Sequence, residues 1–207
     1  METYFDKRTG RNLTLRPDAF VYEGVFDVSY FNSLKDYLLN LRNNNRPLFI
    51  YDEGFGRLTY HTQNSGPDCM LRESLEKLVP LAKELFLDDT IEASYAIFST
   101  YRGYKARLFE HVDDNACTYT IDVSIDHKDA WPLFVEGKEF TVDPNDAIIY
   151  YGEDQYHWRP DFPNPKTNEV SVIFYHFVPG NHWSKTIGQA HHSVIRKKEQ
   201  EYRESLY

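Results

Sequence analysis

The sequence predicts a mainly β protein with flanking helices, an α+β chain whose core is two antiparallel sheets rolled face to face. Three observations carry this. Between Glu92 and Val178, eight short stretches rich in β-branched and aromatic residues follow one another with turn signals between them. No strand-helix-strand alternation appears there, which disfavours a parallel α/β sheet. The chain holds 16 Tyr and 14 Phe against 2 Met, so its core is stiff and suited to strands.

Met1 to Asp18 is polar and charged around a Thr-Gly-Arg-Asn turn and reads as an irregular arm. Ala19 to Phe26 alternates well enough to be a first strand. From Ser29 the spacing changes, because Phe31, Leu34, Tyr37, Leu38 and Leu41 fall at helical intervals; the Asn43-Asn44-Asn45 run ends that helix. Leu48 to Tyr51 and Arg57 to Tyr60 flank Asp-Glu-Gly-Phe-Gly, a hairpin or a mobile loop. Leu71, Leu75, Leu78, Val79, Ala82, Leu85 and Phe86 then define the best helix of the chain, opened by Pro67 and Asp68. Pro80 inside it removes one backbone hydrogen bond and predicts a kink or a split.

The strands that follow are Glu92 to Thr100, Ala106 to Val112, Thr118 to Ile125, Trp131 to Val135, Glu139 to Val142, Ala147 to Tyr151, Gln155 to Trp158 and Val170 to Val178. Eight strands so spaced make a double-sheet jelly roll of the cupin kind, a double-stranded β-helix. Past Pro179 the chain turns polar, and Val194 to Tyr207 reads as a charged helix or tail. The length of 207 residues suits one domain. Its parts are a helical and strand support (1–90), the roll (91–178) and the tail (179–207).

A net charge of -9 disfavours a nucleic-acid or anionic-membrane surface. No run approaches about 20 apolar residues, and no targeting leader is recognisable at the start. With only Cys69 and Cys117, the expectation is a soluble cytoplasmic protein with reduced thiols. Cys117, beside Tyr119, Ile121 and Val123, reads as a small buried residue. Nothing in the sequence speaks to oligomeric state.

The chemistry concentrates in Ala106 to Ile125, ARLFEHVDDNACTYTIDVSI. In a strand, residues i and i+2 share a face, so His111 and Asp113 project together while Val112 points away. Asp114 falls on the opposite face unless the strand bulges. The second half is Asp143 to Arg159, DPNDAIIYYGEDQYHWR, in which a Pro-Asn-Asp turn feeds an apolar strand that ends at Gly152 before His157. Two imidazoles and one carboxylate on one face of a β-barrel form a facial triad that suits non-haem Fe(II) and leaves coordination positions open. His61, His127, His182, His191 and His192 sit in loops or polar stretches and read as solvated. His176, on the last strand, is either a supporting group near the site or a satisfied barrel histidine.

This order of His-x-Asp, strands, Asn-Asp-Ala turn, strand, His and final β-branched strand resembles the Fe(II)- and 2-oxoglutarate-dependent dioxygenases of the prolyl-hydroxylase-like superfamily, over roughly Ile91 to Val178. The resemblance implies Fe(II) on His111, Asp113 and His157, with 2-oxoglutarate and O2 as cosubstrates. It also implies release of succinate and CO2 as a small molecule, such as an amino acid, or a peptide side chain is hydroxylated or desaturated. The carboxylate of Asp113 argues against halogenation. Family members commonly carry an Arg or Lys about ten residues beyond the second His to bind the distal carboxylate of the keto acid. Thr167 stands at that offset here, and no Arg or Lys occurs from Thr167 to Gly180. Arg159 is the first substitute, Lys166 the second and Arg107 the third. Tyr119 is either a hydrogen-bond donor to the keto acid or a core aromatic. Arg57, Arg102 and Lys105 lie in or beside loops around the barrel mouth, as solvated charges or as holders of an anionic part of a substrate. Two other functions fit the same barrel: a cupin-type metal dioxygenase or isomerase without 2-oxoglutarate, and a non-catalytic binding protein.

Overall fold

The computed structural model describes residues 1–62 and 69–182. Within them, all eight expected strands of the roll form, each within a few residues of its expected ends. They are β6 (Glu92–Arg102), β7 (Leu108–His111), β8 (Tyr119–His127), β9 (Leu133–Val135), β10 (Lys138–Phe140), β11 (Ala147–Tyr150), β12 (His157–Arg159) and β13 (Glu169–Val178). The preceding segment adds β1 (Thr3–Asp6), β2 (Arg11–Thr14), β3 (Phe20–Tyr22), α1 (Val28–Asn44), β4 (Ile50–Asp52), β5 (Arg57–His61) and α2 (Met70–Phe86).

A seven-stranded sheet runs β3-β11-β8-β13-β6-β5-β4 and a four-stranded sheet runs β10-β9-β12-β7. Neighbours pair antiparallel throughout, as in a jelly roll. Three strands of the larger sheet, β3, β4 and β5, come from the segment before the roll.

Alternation along the strands assigns the two faces of the larger sheet. Ile121 and Val123 of β8, Ile173, Tyr175 and Phe177 of β13 and Ala96 and Phe98 of β6 pack with the helices. Val170, Val172 and Phe174 of β13, with Ile148 and Tyr150 of β11 and Tyr101 of β6, pack instead with Trp131, Leu133 and Val135 beneath the smaller sheet. Because β13 is the central strand of the larger sheet, its apolar residues serve both cores, and its polar exceptions are few.

Helix α1 starts where the Asp27 carboxylate accepts the Tyr30 N–H at 2.9 Å, satisfying one of the four unpaired amides of a helix start. It ends at Asn44, as the asparagine run predicts, with the Asn45 N–H donating to the Leu41 carbonyl. Helix α2 buries Leu71, Leu75, Leu78, Ala82 and Phe86 and runs through Pro80 as one span, so the expected split does not occur. Its apolar face outweighs the single lost backbone bond. Inside that packing, Ser74 Oγ and Tyr175 OH satisfy each other at 2.8 Å. Pro67 and Asp68, and the expected tail over 194–207, lie outside the described residues. No helix among the described residues is long and apolar enough to cross a membrane.

The N-terminal arm is a correction. Residues 3–14 form the β1-β2 hairpin, turned at Gly10 with a φ of +68° that glycine adopts freely. Its strands carry exposed Tyr4 and Phe5 and bury only Asp6 and Leu13, so no alternation announced them. Polar ties hold the hairpin to the loop before β12: Asp6 accepts from the Tyr156 hydroxyl at 2.7 Å and Arg16 Nε pairs with Asp154 at 2.6 Å. His61 and His127 are also corrected, since both sit in strands, β5 and β8, and His61 is buried.

Hydrogen bonds from Thr9, then from Tyr156, pull the Asp6 carboxyl down from 3.8 to about 2. A depressed folded value stabilises above the unfolded pKa and is lost as pH falls through the folded one. The hairpin tie should therefore be full above about pH 4 and fade toward about pH 2. Hydrogen exchange at the Thr9 amide checks this. Protection should fall across that window in the parent and be weak at neutral pH in Asp6→Asn, and unchanged protection would disprove the tie.

Candidate metal centre

Strands β7 and β12 pair with His157 directly opposite His111. Cross-strand partners in an antiparallel sheet lie side by side, and the two imidazole centroids are 4.3 Å apart. His111 Nδ1 lies 2.7 Å from the Phe109 carbonyl, and His157 Nδ1 lies 3.0 Å from the Gln155 carbonyl. A carbonyl only accepts, so each neutral ring carries its proton on Nδ1 and turns an Nε2 lone pair outward. Both Nε2 atoms are 3.5 Å from Asp113 Oδ1. Three acceptors thus face one another with no proton between them, and their ligating atoms all lie within 4.8 Å of one another. Such a cluster is completed by a cation, and hydrogen bonds to the far ring nitrogens are what orient metal-binding histidines.

Asp113 does not lie on the strand. β7 ends at His111, and an Asp113 N–H bond to the Gly152 carbonyl at 2.8 Å carries the extended course onward. Gly152 is required here, since a Cβ would meet Asp113 Oδ2 at 2.5 Å, Thr120 Oγ1 at 2.6 Å and the Cys117 carbonyl at 2.7 Å. Oδ2 is buried and has no hydrogen-bond partner among the described residues. With protons rather than a cation between the three groups, burial pushes the Asp113 carboxyl up, yet the charge of a protonated His157 and the hydrogen bonds of both imidazoles hold it well below the ordinary carboxylate range. Burial likewise pulls His111 down, and Asp113 outweighs that and raises it. Asp114 is engaged elsewhere, with Oδ1 accepting the Ala116 N–H at 2.7 Å.

The triad lines a cavity of about 210 Å³ together with Arg57, Tyr95, Tyr150, Phe174 and His176. Room for several waters or a small organic acid is available there. Arg57, expected as a mouth charge that is either solvated or a holder of an anionic group, lies on β5 and lines this cavity. Its Nη1 donates to Tyr101 OH at 3.0 Å, its link to Asp52 is a long 3.5 Å, and its Nε is buried without a partner. His176 is buried, with Nδ1 at 3.2 Å from Thr120 Oγ1.

The other expected residues are placed apart from the triad. Arg159 is buried in a separate small cavity with Asp122, Trp131 and Ser124; its Nη1 donates to the Trp131 carbonyl. Tyr119 sits on the helix face of β8, against Phe86, with its hydroxyl on Asp88 at 2.6 Å. The apolar face of that strand serves the helices, and its polar residues Thr120 and Asp122 face the roll, the reverse of what barrel burial suggests. Lys166 lies in an open groove with Arg46, Tyr51 and Arg102. Arg107 is exposed, its Nε donating to the Gly54 carbonyl at 2.7 Å, and Lys105 pairs with Glu53. Trp131 is a core residue, Trp158 stacks on Phe134, and Tyr151 packs on Phe86.

No protein-family model matches the sequence, and no curated protein matches it. Solved structures do match the fold. EctD from S. alaskensis with bound Fe superposes with a TM-score of 0.61 at 14% identity, covering 78% of this chain and 72% of that one. A Pseudomonas putida prolyl-4-hydroxylase gives 0.57 at 12%, covering 76% and 91%. The viral collagen prolyl hydroxylase of Paramecium Bursaria Chlorella virus-1, in complex with 2OG, gives 0.54 at 9%, covering 77% and 94%. At these identities the likeness establishes a shared fold.

Gly152→Ala should keep the far-ultraviolet circular dichroism of the parent while displacing the Asp113 carboxylate. Calorimetric titration with Mn(II) should then show affinity lowered by about tenfold or more. Equal affinity in parent and variant would mean that Asp113 takes no part in cation binding.

Proposed function

We propose that the protein is an Fe(II)- and 2-oxoglutarate-dependent oxygenase that hydroxylates, or desaturates, a small molecule such as an amino acid or a peptide side chain, releasing succinate and CO2. One observation carries this: the Nε2 atoms of His111 and His157 both lie 3.5 Å from one carboxylate oxygen of Asp113 on the wall of a cavity. The N,N,O donor set, with open positions toward the cavity, is the one that suits non-haem Fe(II). Fitness for the ion is supported by the orphaned Asp113 Oδ2 and by the two backbone carbonyls that fix both rings. The fold shared with EctD carrying Fe and with a prolyl hydroxylase carrying 2OG agrees.

In this reading His111, Asp113 and His157 hold the iron from one side. Iron and keto acid, when bound, supply the oxidising chemistry. The chain supplies position and exclusion of water. The Tyr150 ring packs 4.8 Å from the His157 ring and, with Ile97, Leu108 and Phe174, makes the apolar part of the wall. Arg57 offers the distal carboxylate of 2-oxoglutarate a guanidinium already steadied by Tyr101, in low-dielectric surroundings where such a pair is strong. It thereby takes precedence over Arg159, which keeps to the next cavity, and over Lys166 and Arg107 on the surface. Cys69 and Cys117 are both buried thiols outside any disulfide, which suits a reducing, cytoplasmic setting.

A metal-dependent dioxygenase or isomerase without a keto acid is the second reading. It is favoured by the apolar Val170, Val172 and Phe174 that β13 turns toward the roll, with no cation among them.

Anaerobic addition of Fe(II) and then 2-oxoglutarate should give a visible metal-to-ligand charge-transfer band. His111→Ala and Asp113→Ala should lose both the band and succinate formation while remaining folded. Retained succinate formation in either variant would refute the ligand set, and iron binding without a keto-acid band would leave only the second reading. Arg57→Ala should weaken 2-oxoglutarate about ten- to a hundred-fold, the scale of one charge-assisted hydrogen bond. Arg159→Ala should change it less, and the reverse order would move the anchor to Arg159.

A further inference from the structure

We propose that Asp113, Cys117 and His176 hold a second divalent cation, zinc by the chemistry of its donors, next to the one taken by His111, Asp113 and His157. A carboxylate oxygen of Asp113, the Cys117 sulfur and a ring nitrogen of His176 all lie within 4.8 Å of one another. Two elements supply them: the loop between β7 and β8, which carries Asp113 and Cys117, and β13. Cys117 and His176 are 2% and 5% exposed, and both line the triad cavity.

The local hydrogen bonds prepare each donor. The Thr120 hydroxyl donates weakly to the Cys117 carbonyl at 3.5 Å, which leaves its oxygen to accept from His176 Nδ1 at 3.2 Å. His176 Nε2 is then a lone pair. Cys117 Sγ lies 3.0 Å from the Tyr95 hydroxyl, where either can donate, and its thiol reaches Asp114 Oδ1 at 3.6 Å; once deprotonated on a metal, the sulfur can accept from Tyr95. The Tyr95 ring also packs 4.8 Å from the His176 ring and fixes its tilt. Asp113 has one oxygen between the two triad imidazoles and a second, buried, with no partner. A carboxylate so placed is suited to span two cations. An isolated buried thiol or histidine is ordinarily a core residue, but here both lie within 4.8 Å of a carboxylate oxygen of Asp113, whose Oδ2 is buried without a partner among the described residues.

Thiolate, imidazole and carboxylate together are a borderline-soft set that zinc takes in tetrahedral geometry, and three protein ligands leave a fourth position open. That position faces the cavity, so the second ion would act as a Lewis acid for an anionic oxygen of a bound ligand rather than as a structural plug.

The test is titration of metal-free protein with Co(II), a visible replacement for zinc. Two equivalents should bind, with a near-ultraviolet thiolate-to-cobalt band and intense visible bands of tetrahedral cobalt. Cys117→Ser and His176→Gln should each abolish the thiolate band and leave one equivalent. His157→Gln should keep the thiolate band and lose the other equivalent. One equivalent in the parent without a thiolate band would overturn the second site and leave the oxygenase reading standing. A thiolate band that survives Cys117→Ser would also overturn it, by assigning the sulfur to Cys69. Stoichiometry of two in His157→Gln would instead remove the triad. The parent spectrum decides even where a variant fails to fold.

Discussion

His111 opposite His157 is the pairing on which the site depends. A slip of one residue between β7 and β12 would turn one imidazole to the other face of the sheet and dissolve the cluster. Strands of three and four residues hold register poorly by backbone bonds alone. Side chains beyond the histidines fix β12 from its other side: Trp158 stacks on Phe134 of β9, and Trp131 Nε1 donates to the Pro160 carbonyl at 2.8 Å. Arg159 completes the clamp by donating to the Trp131 carbonyl and lying over its ring at 5.2 Å. The arginine that sequence proximity nominates as an anion holder therefore has a full task in keeping its neighbour His157 in place.

The interior of the roll carries two carboxyl groups with opposite fates. Asp113 stays ionised because two imidazoles face it. Asp122 is pushed well above its ordinary range by burial, against the opposing pull of Arg159, and accepts from the Tyr150 hydroxyl at 3.2 Å. Two anions of equal standing in one barrel would repel, and raising one while depressing the other removes that conflict. Asp122 Oδ1 and Arg159 Nε both lack protein partners beside a cavity of about 20 Å³. That volume admits one water, which would join the two.

How much of this was legible follows from which signals are local. Strand period, turn residues and helix spacing are short-range, and they placed every strand of the roll and both helices. The clustering of His111, Asp113 and His157 was legible because the two histidines sit at strand ends in an order that few other arrangements produce, although Asp113 lies past the strand and a bond to Gly152 aims it. Direction was not legible. Tyr119 and Ile121 form the apolar face of β8, and an apolar face can serve either the roll or the helices. Only the assembled layers decide, and α2 claims it. The β1-β2 hairpin escaped because polar ties hold it, and polar ties leave no period.

Arg57 was named only as one of three mouth charges, and its place beside the triad depends on long-range pairing. It lies more than fifty residues before the first triad ligand and looks like a loop charge beside two glycines. β5 pairs with β6, which sets Arg57 opposite Tyr101, and Gly56 at φ +59° packs against the backbone of Lys105 and Ala106. A Cβ there would fall 2.3 Å from the Lys105 carbonyl carbon, so glycine lets the β4-β5 hairpin close on the loop leading to β7. The Arg107 N–H then donates to the Phe55 carbonyl at 3.2 Å, and the Arg102 N–H to the Gly56 carbonyl at 3.3 Å. A cation that the last strand of the roll does not carry is in this way brought to the cavity by an added hairpin. The arginine that lines the triad cavity thus comes from the β4-β5 hairpin, while β13 carries no Lys or Arg.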